Sequence, residues 1–157
     1  MIIAILQGPQ IRVSLHFERK RFKSSSLSFA NHFECCIEGE ADELLEKNLL
    51  DFLVKYGKRK PAKIDLDLGF LTPFRQKALH HLQGIPFGEV VSYGELADLI
   101  GHERAARAVG TACHFNPYPL FIPCHRVIAA GGRLGGFAQE PKMKRLLLDF
   151  ENVKINE

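Results

Sequence analysis

No apolar run in this chain approaches the length of a membrane span, so no helix that crosses a bilayer is expected within it. The apolar start, Met1 to Leu6, is too short for a secretory leader and has no cationic beginning. Cysteine is scarce, four in all, and only Cys35 and Cys36 lie close together. Adjacent cysteines cannot close an ordinary disulfide with one another, and they do not match a Cys-x-x-Cys zinc knuckle. His32 nearby, and His80 and His81 farther along, add no recognisable ligand spacing, so no metal site is expected. Internal repeats and low-complexity segments are absent too. The charge bias is slight: a net +3 permits an anionic partner without demanding one. These absences predict a soluble protein of a reducing compartment, the cytoplasm, with its thiols free.

What is present is an ordinary core-forming composition, 46% apolar over 157 residues, enough for one domain or two small ones. Ile11, Val13, Leu15 and Phe17 alternate with polar residues and predict a half-buried strand. The basic stretch Arg19 to Lys23 and the serines after it read as a solvated turn, and Phe29 to Ile37 as another strand. Over Ala41 to Tyr56, the residues Leu45, Leu49, Phe52, Leu53 and Tyr56 keep helical spacing, and Gly57 ends the segment. Asp65 to Leu68 is a short alternating piece, and a domain boundary is placed at Gly69 to Thr72.

Beyond that boundary the pattern turns helical. Thr72 caps a helix whose first residue is Pro73 and whose buried stripe is Phe74, Ala78, Leu79 and Leu82. Ile85-Pro86-Phe87-Gly88 is a turn, and Glu89 to Val91 is a short extended piece. Ser92 to Glu95 has the form of a capping box opening a short helix through Leu96 and Ile100. Gly101 and His102 break it, and a second helix follows over Glu103 to His114. Two short helices around a glycine-containing turn outline a helix-turn-helix. The second is made of small residues, Ala105, Ala106, Ala108 and Gly110, with Arg104 and Arg107 three apart. Such a helix serves either tight packing with solvated arginines or close approach to a nucleic-acid groove with an inserted arginine.

The most informative stretch is Phe121-Ile-Pro-Cys-His-Arg-Val127. An apolar strand that stops at Pro123 presents Cys124 either as inert packing or as a nucleophile. His125 and Arg126 beside it predict a lowered thiol pKa. Arg104, Arg107, Arg126, Arg133, Lys142, Lys144 and Arg145 gather in the same third of the chain.

Residues 71–151 together resemble the O6-alkylguanine-DNA alkyltransferases, the methylated-DNA–protein-cysteine methyltransferases. The resemblance rests on Ile85 to Tyr93, Ala105-Ala-Arg-Ala-Val-Gly110, Asn116-Pro117, Ile122 to Val127, Gly131-Gly132, Gly135-Gly136-Phe137 and a helix over Lys144 to Glu151. It implies that Cys124 is the alkyl acceptor. His125 then takes the thiol proton through a water, and Glu151 orients that histidine. Arg107 matches the arginine that fills the gap left by an extruded nucleotide, and Tyr93 the tyrosine that helps rotate it. Asn116 matches the asparagine tying the recognition helix to the active-site region, and Ala108 and Val127 complete the substrate- and DNA-binding set. No cofactor is implied. The partner is double-stranded DNA carrying O6-alkylguanine, with O4-alkylthymine a further substrate, and the protein acts as a monomer. The fold expected is α+β: a small N-terminal α/β domain over 1–70, then a mostly helical C-terminal DNA-binding and alkyl-acceptor domain over 71–157 with a winged-helix-like helix-turn-helix.

The chemistry suits these residue types by itself. An O-alkyl carbon is a soft electrophile and thiolate the strongest protein nucleophile near neutral pH. On a strand the ring of His125 points away from Cys124, which favours a water relay over direct transfer. The thioether product has no good leaving group, so each molecule turns over once.

The chain departs from common family text in lacking tryptophan, in carrying Cys113-His114-Phe115 beside Asn116, and in having Phe137 where some relatives have tyrosine. The room available for larger alkyl groups depends on the loop from Gly131 to Ala138. A cysteine hydrolase would account for Cys, His and a carboxylate but not for the helical pair or Arg107. A non-catalytic protein that recognises alkylated bases would account for the helices but not for Cys124.

Overall fold

Alternating side chains build the first half of the molecule. In the computed structural model, which describes residues 1–137 and 140–156, Ile11, Val13, Leu15 and Phe17 all point inward from strand β2, Ile11–Glu18. The contacts divide the chain into two units, Met1–Ile64 and Asp65–Glu157. Among the described residues there are five α-helices and one four-stranded sheet, with a separate two-stranded ladder. No helix among them is long and apolar enough to cross a membrane.

The first unit's sheet has the order β1-β4-β2-β3, with β1 at Ile2–Leu6, β3 at Arg21–Phe29 and β4 at Phe33–Glu38. β3 corrects the expectation of a solvated turn after Arg19. Only Arg19 and Lys20 turn, both at positive φ, and the serine-rich segment pairs antiparallel with β2. A bulge explains why its alternation is hard to see. Phe17 faces Phe22 and His16 faces Ser24, so Lys23 is an extra residue, and Phe22, Ser25 and Leu27 share the buried face. β4 runs parallel to β2 and antiparallel to β1, within the sheet. Its neighbours Cys35 and Cys36 point to opposite faces, so they cannot close on one ion together. No metal-holding group of three His, Cys, Asp or Glu occurs among the described residues. Helix α1, Glu43–Gly57, is capped by the Asp42 carboxylate and buries Leu49, Phe52, Leu53 and Tyr56. A side chain at Gly57 would collide with the Gln7 carbonyl, so the close approach there needs glycine.

In the second unit, Thr72 caps α2, Pro73–Leu82, which buries Ala78, Leu79 and Leu82. Phe74 is half-buried, its ring edge-on to His102. Strand β5, Val91–Ser92, runs straight into α3, Tyr93–Leu99, through the capping box of Ser92 and Glu95. Helix α4 is Ala106–His114, starting three residues later than the sequence indicates because Arg104 takes a positive φ and no side chain caps Ala105. Strand β6, Val127–Ile128, pairs parallel with β5, and α5 spans Pro141–Phe150. That ladder joins two segments distant in sequence. Val91 opposite Val127 sets the start of α3 beside the residues that precede β6. The loop whose size was expected to set pocket volume is described as far as Phe137; Ala138 lies outside the described residues.

Candidate active site

Cys124 does not end a strand. It begins a 3₁₀ turn, Cys124–Arg126, and the local geometry follows from Pro123. The Cys124 N–H donates to the Ile122 carbonyl at 2.8 Å across Pro123 (φ −78°, ψ 64°), an inverse γ-turn. Proline fits there because the central residue of such a turn donates nothing. Asn116 secures the approach: its side-chain amide donates to the Ile122 carbonyl and its oxygen accepts the Tyr118 N–H, both at 2.9 Å. Residues 118–128 are buried throughout.

Cys124 lines a cavity of about 260 Å³. Tyr93 at the start of α3 and Gly110, Cys113 and His114 along one side of α4 form its walls, with Gly136 and Phe137 across from them. The loop bearing Gly136 is stitched down by two donors. Tyr93 gives its hydroxyl hydrogen to the Gly136 carbonyl at 3.3 Å, and Lys144 gives an ammonium hydrogen at 2.9 Å. Gly135 permits this closeness, since a Cβ there would sit 3.2 Å from the Tyr93 ring at a positive φ.

Behind the turn, Glu151 at the C-cap of α5 is buried and receives four bonds. His125 Nε2 donates to its Oε2. Arg126 Nε donates to Oε1 at 2.8 Å and Nη2 to Oε2 at 3.3 Å, and the Gly88 N–H reaches Oε1 at 3.0 Å. Arg126 also holds the Ile85 carbonyl at 2.7 Å and lies over the Phe87 ring. Burial opposes ionisation of Glu151, but His125 and Arg126 outweigh it and hold the carboxyl down at about 2. Burial pushes the His125 pKa below its ordinary value against the pull of Glu151, so the ring rests neutral. A carboxylate can only accept, so Nε2 carries the ring proton and Nδ1 is left as a bare base. That buried Nδ1 meets no hydrogen-bond partner among the described residues.

The thiol corrects the expectation of a lowered pKa. Burial pushes Cys124 up, against the opposing effects of Asn116 and Lys144. Arg126, expected to activate it, spends its guanidinium on Glu151 and Ile85. The cation that favours the thiolate is Lys144, itself pushed down to about 8 by burial and held up by the two thiols. Burial likewise raises Cys113 and Tyr93 to about 12 each, so both stay protonated near neutral pH.

Of the residues singled out from sequence, Tyr93 and Cys124 meet in the cavity, with His125 and Glu151 joined behind it. Asn116 braces the segment before the turn. Arg107 and Ala108 lie exposed on α4. Val127 is fully buried in β6 and is not among the residues lining the cavity. Sequence reasoning missed Lys144 and the role of Arg126. A lysine among Lys142 and Arg145 looks solvated, and only its place on the buried stripe with Met143, Leu147 and Leu148 marks it.

Comparison with known proteins gives a consistent picture. Residues 73–153 match the family model of the 6-O-methylguanine DNA methyltransferase, DNA binding domain. A methylated-DNA–protein-cysteine methyltransferase of Saccharolobus islandicus is 39% identical over 126 residues, covering 78% of this chain and 80% of the relative. One of Mycobacterium bovis is 49% identical over 98 residues, covering 62% and 59%. Among solved structures, OGT of Mycobacterium tuberculosis in complex with DNA superposes with a TM-score of 0.68 at 32% identity, over 90% of this chain and 91% of that one. The O6-methylguanine-DNA methyltransferase of Pyrococcus kodakaraensis gives 0.55 at 26% identity, over 91% and 99%.

Proposed function

The chain belongs to the 6-O-methylguanine DNA methyltransferase family, and on that premise we propose that it repairs double-stranded DNA by moving the alkyl group of O6-alkylguanine to its own Cys124. The observation that carries this reading is a buried thiol followed, in the same 3₁₀ turn, by a buried histidine whose Nε2 is bonded to a buried carboxylate and whose Nδ1 is bare. The Cys124 proton passes through a water to Nδ1 of His125, and Glu151 stabilises the imidazolium that forms. The thiolate attacks the alkyl carbon; the C–O bond breaks and its electron pair goes to the base, which recovers one proton as guanine. Thiol and alkyl ether thus become thioether and guanine. No cofactor takes part, and the thioether ends the protein's working life after one turnover. O4-alkylthymine offers the same electrophilic carbon.

A base inside a duplex cannot reach a cavity wall, so the nucleotide must leave the stack, at a cost of a few kcal/mol. We assign α3 and α4 as a winged-helix-like helix-turn-helix that meets DNA, with the unit after about residue 70 serving as the DNA-binding and acceptor domain. Support comes from α4, whose small residues leave Arg107 and Ala108 exposed. Arg107 fills the vacated place in the stack, and Tyr93, beside the cavity, guides the rotating nucleotide. Asn116 fixes the segment between helix and thiol. The protein works as a monomer in the cytoplasm.

Intact mass after incubation with a duplex containing O6-methylguanine tests this. A gain of one methylene, placed on Cys124 by peptide fragmentation, is the expected result. A label on Cys113, or repeated turnover with the thiol regenerated, would overturn it.

A further inference from the structure

Beyond Glu151 at the C-cap of α5, Asn152 turns the chain at a positive φ. Val153 and Ile155 are then half-buried between exposed neighbours, so the tail lies along the protein. Asn156 follows and makes two hydrogen bonds to one loop. Its backbone N–H donates to the Gly132 carbonyl at 2.8 Å, and its side-chain amide donates to the Gly131 carbonyl at 3.1 Å. Nothing in the proposed chemistry uses Asn156.

The loop it holds has little stiffness of its own. Gly131 and Gly132 both take a φ of 76°, and two glycines in succession leave the backbone wide freedom. A Cβ on Gly132 would sit 2.6 Å from the Asn156 amide nitrogen, so Asn156 fills the space of the missing side chain. The Ala129 N–H closes the loop by donating to the Arg133 carbonyl at 2.9 Å. Gly135 packs against that closure, where a Cβ would lie 3.2 Å from the Ala129 nitrogen. The next two residues, Gly136 and Phe137, wall the cavity of Cys124. Asn156 thus anchors one end of a loop whose other end, at Gly136, is held by Tyr93 and Lys144.

We propose that Asn156 is a positioning residue that limits the size of the alkyl group the cavity accepts. The inference rests on the reading of Cys124 as the alkyl acceptor. Asn156 is not among the residues lining the cavity and acts through the loop. A cavity of about 260 Å³ that must also take the base leaves room for a methyl group, while a benzyl group needs the wall to withdraw. With Asn156 in place, withdrawal breaks its bond to Gly131. Without it, the paired glycines yield freely.

Single-turnover rates on duplexes carrying O6-methylguanine or O6-benzylguanine test this in the full chain. Asn156 is itself exposed, so substitutions there leave the core intact. In Asn156→Ala the methyl rate should stay within about two-fold of the parent, and the benzyl-to-methyl ratio should rise about five-fold, the worth of one hydrogen bond. Asn156→Asp should raise the ratio at least as far, because a carboxylate cannot donate to the Gly131 carbonyl and repels it. Amide hydrogen exchange over residues 131–136 should quicken in both variants, with the buried segment 118–128 unchanged. A merely structural role would lower both rates together and leave the ratio where it was, which overturns the proposal. A ratio that falls, or loop exchange that stays as in the parent, overturns it equally. If the parent transfers neither group to Cys124, the repair reading fails and the positioning role with it.

Discussion

In the first unit, Lys20 pairs with Glu40 and His16 with Glu38 through side chains at least half exposed, whereas in the second Glu151 meets His125 with both side chains fully buried. Arg12–Glu34 in the sheet is intermediate, an exposed arginine over a buried carboxylate. Exposed pairs contribute little, roughly 0–1 kcal/mol, because water competes for both partners. Buried ones persist only where further hydrogen bonds repay the lost hydration, as the four donors around Glu151 do. Within the second unit the contrast repeats at closer range. Every oxygen of Glu151 is engaged, while His125 Nδ1 on the other side of the same ring is left bare. A fold that saturates one side of a histidine and leaves the other bare fixes the ring with one nitrogen unpartnered.

The most severe way to break that arrangement is to remove the thiol. Cys124→Ala should abolish alkyl transfer yet keep duplex affinity within about two-fold, because on the proposed reading binding rests on phosphate contacts and α4. Retained transfer with the label on Cys113 would contradict it.

Glu151→Gln comes next. It should slow transfer by about 10²- to 10⁴-fold, the usual worth of a positioned base, and also destabilise the fold. The sign follows from Glu151, held at about 2 when folded against about 4.3 unfolded. Its ionised form stabilises the native state above about pH 4.3, and that contribution disappears as pH falls towards 2. Denaturant melts of both proteins should therefore differ most at neutral pH and converge in acid. A constant gap from pH 7 to about pH 2 would refute the assignment.

The sheet and the site were legible in the sequence to different depths. The capping box at Ser92, the Pro73 helix start and the β2 alternation depend on neighbours a few residues apart, so they stand out in the text. β3 does not, because one extra residue at Lys23 reverses its alternation partway. Cys124 stands out among its own neighbours in Phe121 to Val127, the roles of His125 and Glu151 rest on the resemblance to a family, and geometry joins those two across 26 positions. Arg126 misled, since adjacency in sequence placed its charge on the thiol and the 3₁₀ turn sends it to Glu151 instead. Whether a lysine is solvated or buried depends on the surface facing its helix, which no local window contains.

Arg107→Ala sharpens the difference between flipping and chemistry. It should slow repair of duplex by about ten-fold or more, with far less effect on free O6-benzylguanine if that base fits the cavity. Lysine should rescue only in part, lacking the planar guanidinium. Equal slowing on both substrates would move Arg107 out of flipping.

Lys144→Met separates activity from stability. Because burial holds Lys144 at about 8, its removal should stabilise the protein at neutral pH by about 2 kcal/mol while slowing transfer several-fold. In the unsubstituted protein the same group makes stability rise with pH between about 8 and 10.4. A less stable Lys144→Met variant with unchanged rate would reverse this reading. Glu40→Gln in the first unit is the control at the small end, with stability within about 0.5 kcal/mol of the parent and the rate unmoved. A slower rate there would tie the exposed pair to the chemistry.

The relay through His125 is tested most directly by single-turnover alkylation of folded protein from about pH 6 to 9.5, a range bracketing a free thiol. With the relay intact, the rate should hold through neutral pH although Cys124 itself is pushed above its ordinary value. In His125→Ala and in Glu151→Gln the midpoint should move up to or beyond about 8.5, and the double variant should lose little more than the worse single one. Curves that stay in place in both single variants would contradict the relay.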